Sequence, residues 1–263
     1  MMLTSDLGGS VQLRATGDLG SATPDWMLQL QADALNLALI EGFSPELVEP
    51  RGALSGHLQA RWLEGRLAPE GALQLQEVGA ELPSAGTRIS ALNLTLEANP
   101  AGQIRVNGSG GLGTGRFEPR GLLPLDPDGD MELVLKGTDL LVADLPIVRM
   151  TASPDLKLER RAGRINASGE VVIPSALIDL ARFEPSVKAS GDVVVVDDPA
   201  VDQGPPISLF ADLRVVVGDK VRLKGFGLDG RLKGSLTLRE RPGKLATGRG
   251  ELDVTGNYRA YGQ

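Results

Sequence analysis

The sequence predicts an all-β chain, an elongated sheet of curled strands with one aliphatic face. Three observations carry that prediction. Apolar and polar residues alternate with a period of two, turn signals recur at short intervals, and glycines fall inside the alternating stretches. Successive side chains of a strand point to opposite faces, so strict alternation means one wet face and one dry face.

The alternation is clearest towards the C-terminus. Thr247, Arg249, Glu251, Asp253, Thr255, Asn257 and Arg259 interleave with Gly248, Gly250, Leu252, Val254, Gly256, Tyr258 and Ala260, which predicts a final strand over Gly248–Tyr261. A helix would scatter the same residues around its circumference. Arg231 to Arg239 interleave with Leu232, Gly234, Leu236 and Leu238, and Arg164 to Glu170 with Ile165, Ala167, Gly169 and Val171. Shorter versions occur at Leu73–Leu75, Leu92–Leu96, Ile104–Val106, Met131–Leu135, Leu213–Val217 and Val221–Leu223. Turn signals separate them: Asn99-Pro100, Pro127-Asp128-Gly129, Asp198-Pro199 and Arg241-Pro242-Gly243. Ser175 to Phe183, between Pro174 and Pro185, reads either as two helical turns or as a strand carrying Ile178 and Leu180. Glycine followed by alternating leucine recurs, as in Gly71-Ala72-Leu73 and Gly250-Glu251-Leu252, which points to a stack whose strands bury only against neighbours. The turn-rich breaks at Gly108–Gly115 and Asp197–Pro206 are too short for linkers, so residues 1–263 read as one elongated module.

Composition removes several function classes. The 263 residues carry a net charge of -7 and no basic run, whereas a duplex binder needs concentrated cations to release counterions. Nucleic acid is therefore not an expected partner. Without cysteine there is neither a disulfide framework nor thiolate chemistry. No apolar run approaches the roughly 20 residues that cross a bilayer as a helix. Met1 and Met2 open on a polar stretch with no signal core, so the sequence reads as a piece of a longer protein that carries any anchor elsewhere.

The inventory for catalysis is thin. His57 is the one histidine, and it falls at the polar phase of Gly56-His57-Leu58-Gln59-Ala60, as an exposed strand histidine would. A zinc site would need further His or Cys ligands. Asp126, Asp128 and Asp130 alternate as carboxylates around a cation can, but the Pro and Gly between them favour a plain turn. No glycine-rich loop opens a helix as a phosphate cradle requires. The reading is a non-enzymatic chain with no catalytic residue, no metal and no cofactor.

What remains is the dry face. Its residues are overwhelmingly Leu, Val, Ile and Ala, with aromatics at 3% of the chain. Outer-membrane barrels want aromatic girdles at both interfaces, and Trp26, Trp62, Tyr258 and Tyr261 are too few for them. An aliphatic face curled by in-strand glycines suits an acyl chain, each methylene of which contributes about 0.8 kcal/mol on leaving water. The candidate lining residues are Ile165, Val171, Leu213, Val215, Val217, Val221, Leu223, Leu232, Leu236, Leu238, Leu252 and Val254. A closed sandwich would show the same alternation, and period alone does not separate the two. The final strand has no proline and no charge on its dry phase, so its edge is expected to recruit another strand, by self-association among other routes.

The stretch Gly218-Asp219-Lys220-Val221-Arg222-Leu223-Lys224-Gly225-Phe226-Gly227-Leu228-Asp229-Gly230-Arg231-Leu232-Lys233-Gly234 resembles the C-terminal domain of the TamB family of translocation and assembly module proteins. The ending Gly256-Asn257-Tyr258-Arg259-Ala260-Tyr261-Gly262-Gln263 is similar to the motif before that family's last strands. The resemblance is densest over 155–263. It implies an AsmA-like protein anchored in the inner membrane of a Gram-negative bacterium and crossing the periplasm as a taco-like β-groove. It also implies movement of phospholipids between the membranes, and an outer-membrane barrel partner, TamA, that helps assemble other outer-membrane proteins. A second role follows from the same resemblance, a chaperone-like scaffold that receives unfolded strands at its open edges.

Overall fold

The computed structural model describes residues 2–4, 8–17, 26–39, 46–63, 66–126, 129–182, 208–242 and 245–259. Among these residues fifteen strands form one sheet: β1 (Met2–Thr4), β2 (Ser10–Gly17), β3 (Trp26–Asn36), β4 (Val48–Leu63), β5 (Arg66–Leu82), β6 (Thr87–Asn99), β7 (Gln103–Leu112), β8 (Gly115–Pro124), β9 (Met131–Thr138), β10 (Leu140–Leu145), β11 (Val148–Arg161), β12 (Arg164–Asp179), β13 (Ser208–Gly225), β14 (Leu228–Glu240) and β15 (Thr247–Tyr258). No α-helix occurs among the described residues.

The topology is nearly a pure meander. Each strand pairs antiparallel with the next, except that β9 and β10 share β11 as partner and β12 pairs with β13 in parallel. The path runs from β1 to β15 without returning, so the sheet is curled and unclosed. The Asn99-Pro100 signal makes the β6–β7 turn, where the Asn99 side-chain oxygen accepts from the Ala101 and Gln103 amides. The break at Gly108–Gly115 is the β7–β8 turn, which is tighter than its sequence suggests because both strands run into it. Of the two readings for Ser175 to Phe183 the strand holds as far as Asp179 and carries Ile178, whereas Leu180 falls in a single 3-10 turn, Leu180–Arg182, and Phe183 lies outside the described residues. The final strand stops at Tyr258, and Tyr261 lies outside the described residues, as do Val193 to Pro206 and Asp128.

Curl comes from bulges. The pairing register slips between Ala32 and Leu35, Leu75 and Val78, Ser90 and Asn93, Thr151 and Ser153, Ile173 and Ser175, and Val217 and Val221. An extra residue bends its strand and sharpens the local twist. Because the slips fall at comparable depth in neighbouring strands, they crease the sheet lengthwise. Ala34, Glu77 and Asp139 sit at these creases with φ near +50°, and a side chain of the adjacent strand holds each one. The Ala34 amide donates to Ser55 Oγ at 3.2 Å, the Glu77 amide to Asn93 Oδ1 at 3.1 Å, and the Asp139 amide to Ser153 Oγ at 2.9 Å. Those bonds satisfy donors that the interrupted ladder abandons.

Two glycines show why the residue recurs inside strands. Gly169 and Gly234 have φ of 131° and 138°, a region L-residues avoid. A Cβ on Gly169 would collide with the Asp155 carbonyl oxygen, and one on Gly234 with that of Glu251. Both are positions where neighbouring backbones close in as the sheet curls.

Candidate functional site: the aliphatic face

Pairing carries the period-two pattern from strand to strand. Val171 lies opposite Val215, Val215 opposite Leu236, and Leu213 opposite Leu238. Val217 faces Gly234, which faces Leu252, and Val221 faces Leu232, which faces Val254. Leu223 is opposite Ile178, and Ile165 is opposite Leu209. The slip between Val217 and Val221 adds an even number of residues on β13, so phase is preserved across it. All the candidate lining residues therefore share one face.

The face continues beyond them. Leu30, Leu58 and Gly71 make one row across β3 to β5, and Leu73, Leu96 and Val106 another across β5 to β7. Leu133 and Leu135 meet Leu158 and Leu156 across β9 and β11. Glycines sit in these rows beside leucines, as Gly121 beside Leu133 and Gly169 beside both Leu156 and Leu213. A leucine next to a glycine leaves a shallow trough rather than a filled layer.

Burial distinguishes an open groove from a closed sandwich. The tightest packing is a small cluster of Ala176, Val217 and Val221 with Met150, Ile173, Ile178 and Leu232 against it. Elsewhere the lining is half-buried, and Leu238, Leu252 and Val254 keep 39%, 37% and 52% of their surface exposed. A facing sheet would cover those side chains. The sandwich alternative fails on this point.

The opposite face is polar and its charges are largely matched. Lys136 bonds Asp155 at 3.1 Å, Arg239 meets Asp212 at 3.1 Å, and Arg88 pairs with Glu81. The Lys157 ammonium bonds Glu159 at 3.1 Å and holds that carboxyl below its usual range. Such exposed pairs contribute little each. A depression of about 720 Å³ lies on this side, lined by Glu118, Lys136, Asp155 and Glu170 with Thr138 and Ser153. It is separate from the aliphatic face. His57 is exposed on β4, and no metal-binding cluster occurs among the described residues. No helix among them is long and apolar enough to cross a membrane.

Sequence reasoning missed two residues here. Arg160 follows Leu156 and Leu158 in phase, and Glu240 follows Leu236 and Leu238, so both fall on the aliphatic face at strand ends. The signal was the phase itself, read one step past the last leucine.

The family described as TamB C-terminal domain matches residues 109–263. The "Translocation and assembly module subunit TamB" of Haemophilus influenzae is 27% identical over 135 residues, which are 46% of this chain and 10% of the relative. The chain thus spans about a tenth of that relative's length. No solved structure matches.

Proposed function

This chain belongs to the TamB family, and we propose on that premise that it is a non-enzymatic segment of a periplasmic bridge whose groove carries phospholipid acyl chains between the inner and outer membranes. The observation that carries the reading is the aliphatic face: continuous over the sheet, creased lengthwise and only half-covered by its own chain. An acyl tail laid on such a surface gains about 0.8 kcal/mol per methylene removed from water. The walls act passively, so no single side chain is indispensable. The face supports outer-membrane biogenesis in this reading by moving lipid, with the outer-membrane barrel TamA as the partner of the whole protein and an inner-membrane anchor outside this sequence.

The test is lipid content. Protein purified without detergent is extracted and its lipids identified by mass spectrometry; co-purified phospholipid at near-stoichiometric amounts is the expected result. Leu236→Asp, in mid-face, is expected to abolish that lipid while leaving the β circular-dichroism signal in place. A lipid-free parent protein that also takes up none from vesicles would end the proposal.

One observation favours a second reading. Every residue of β15 is exposed, and no described strand pairs with its outer edge. Unpaired N–H and C=O rows recruit strands, which is what a scaffold for outer-membrane proteins would use. If lipid is absent while an unfolded barrel segment protects the β15 amides from hydrogen exchange, the scaffold replaces the conduit.

A further inference from the structure

Among the described strand residues away from the bulges, pairing phase puts only Arg160 and Glu240 as charges on the aliphatic face, and both lie at the same rim. That rim is formed by the ends of β4, β6, β8, β11 and β14 and the starts of β3, β5, β7, β9, β12, β13 and β15. Arg160 is half-buried beside Ile165 and Met131. Its Nε donates to the Gly129 carbonyl at 2.9 Å, which fixes the guanidinium, and no described carboxylate lies within ion-pair distance of it. Carboxylates hold most of the neighbouring arginines, Arg161 with Glu159 and Arg239 and Arg241 with Asp212. Among the described strand residues away from the bulges, the other rim has no charge on this face.

A second observation marks the same rim. The chain has two tryptophans, and Trp26 and Trp62 both sit there in the aliphatic phase, 37% and 40% exposed. Tryptophan suits the level where apolar and polar surroundings meet, because one side of its ring system is oily and its N–H needs a partner. From Arg160 the apolar phase runs inward through Leu158 and Leu156 to Pro154, six residues or about 20 Å at strand rise. Half of a bilayer's hydrocarbon core is about 15 Å. The row is long enough for a tail whose headgroup stays at the rim.

We infer that Arg160 is a headgroup site: its fixed guanidinium takes the phosphodiester of a phospholipid whose tails lie on Leu158, Leu156 and the rows beside them, with the tryptophan-bearing rim as the headgroup side of the groove. A guanidinium matches phosphate oxygens with two parallel hydrogen bonds, which an ammonium does not. The inference rests on the acyl-groove reading above and adds to it an orientation and a ligand class, lipids with a phosphate.

The experiment offers the delipidated chain two vesicle probes with identical tails, phosphatidylglycerol alone and a phosphate-free glycosyl diacylglycerol alone, and counts bound lipid by native mass spectrometry. The expected result is at least about tenfold preference for phosphatidylglycerol over the glycosyl diacylglycerol, the scale of a charge-assisted hydrogen-bonded pair. Arg160→Gln removes the preference and leaves glycosyl diacylglycerol uptake as it was, Arg160→Lys restores only part of it, and Arg249→Gln, on the polar face of the same rim, changes nothing. Thermal melts of Arg160→Lys and Arg160→Gln separate loss of the Gly129 bond from loss of the phosphate partner. Inorganic phosphate at millimolar concentration leaves uptake unchanged; abolition by it would make this a free-anion site and overturn the lipid assignment. Lipids brominated near the glycerol are expected to quench the two tryptophans more than lipids brominated at the tail end, and the reverse order overturns the orientation. Equal uptake by parent and Arg160→Gln overturns the headgroup site while sparing the groove. No uptake of either lipid by the parent overturns both.

Discussion

Val221 and Val254 lie two strands apart in one row, with Leu232 between them, yet one is 2% exposed and the other 52%. They have the same side chain, the same phase and the same antiparallel pairing to the same leucine. What differs is the second neighbour. Val221 is flanked on its other side by Ala176, whose own partner Met150 closes a four-strand patch at the crease, whereas Val254 is on the last strand described. Phase decides which face a residue joins; the next strand and the local curl decide whether water reaches it. In this sheet the aliphatic face is fixed by sequence over its whole width, while burial is lent locally by the crease.

The sharpest way to break that comparison is to put the same charge at both places. Val221→Asp strands an unpaired carboxylate in the tightest part of the sheet, and a loss of about 3–5 kcal/mol is expected in urea unfolding. Val254→Asp should cost under about 1 kcal/mol, as exposed substitutions do. Equal losses would mean that Val254 is covered in solution. A smaller effect tests the curl: Gly169→Ala forces a Cβ against the Asp155 carbonyl at positive φ, for about 1–3 kcal/mol, with Gly248→Ala, where the added methyl meets only the tip of Leu238, close to neutral.

The open side of the comparison has its own readout. If the β15 edge is as bare in solution as its exposure indicates, the chain self-associates with concentration, and Val254→Pro lowers the average mass in light scattering by removing one edge donor. A parent that stays monomeric at every concentration would mean that the edge is covered.

The smallest expected effect is electrostatic. Lys233 bonds Asp219 at 2.7 Å across the bulge of β13, holding that carboxyl below its usual range and raising the ammonium above its own. The carboxyl's contribution is therefore present above the ordinary aspartate range and disappears as pH falls through its depressed value. The lysine's is present below the ordinary lysine range and fades as pH rises through the raised one. Parent and Asp219→Asn should differ slightly in Tm near neutrality, converge in strong acid and converge again at high salt, since both groups are exposed.

How much of this was legible follows from what alternation encodes. The lining from Ile165 to Val254 emerged on one face because phase survives each pairing among those residues, including the two-residue insertion at Val217–Val221. Bulges were not legible: Ala34, Glu77 and Asp139 carry no residue signature of positive φ, and the side chains that hold them come from other strands. The Ser175–Asp179 segment stayed ambiguous because its phase shifts at the Ile173–Ser175 slip, which breaks period-two reading where the strand continues. Arg160 was overlooked for the opposite reason. Its phase was plain, but an arginine at a strand end reads as solvated until the pairing shows Ile165 and Met131 beside it.

The parallel contact between β12 and β13 has a consequence in time. Pairs joined by a tight turn, such as β6 with β7, β7 with β8 and β11 with β12, can zip outward from it at the microsecond pace of hairpins. Ser208 pairs with Arg164 although the chain leaves β12 at Asp179, by the other rim, so this parallel interface forms only after sequence-distant residues have met. The chain is thus expected to assemble as two early blocks, β2 to β12 and β13 to β15, joined in a later and slower step. The Ala176–Val217–Val221 cluster lies on that seam, so the tightest packing in the sheet is also the last to form.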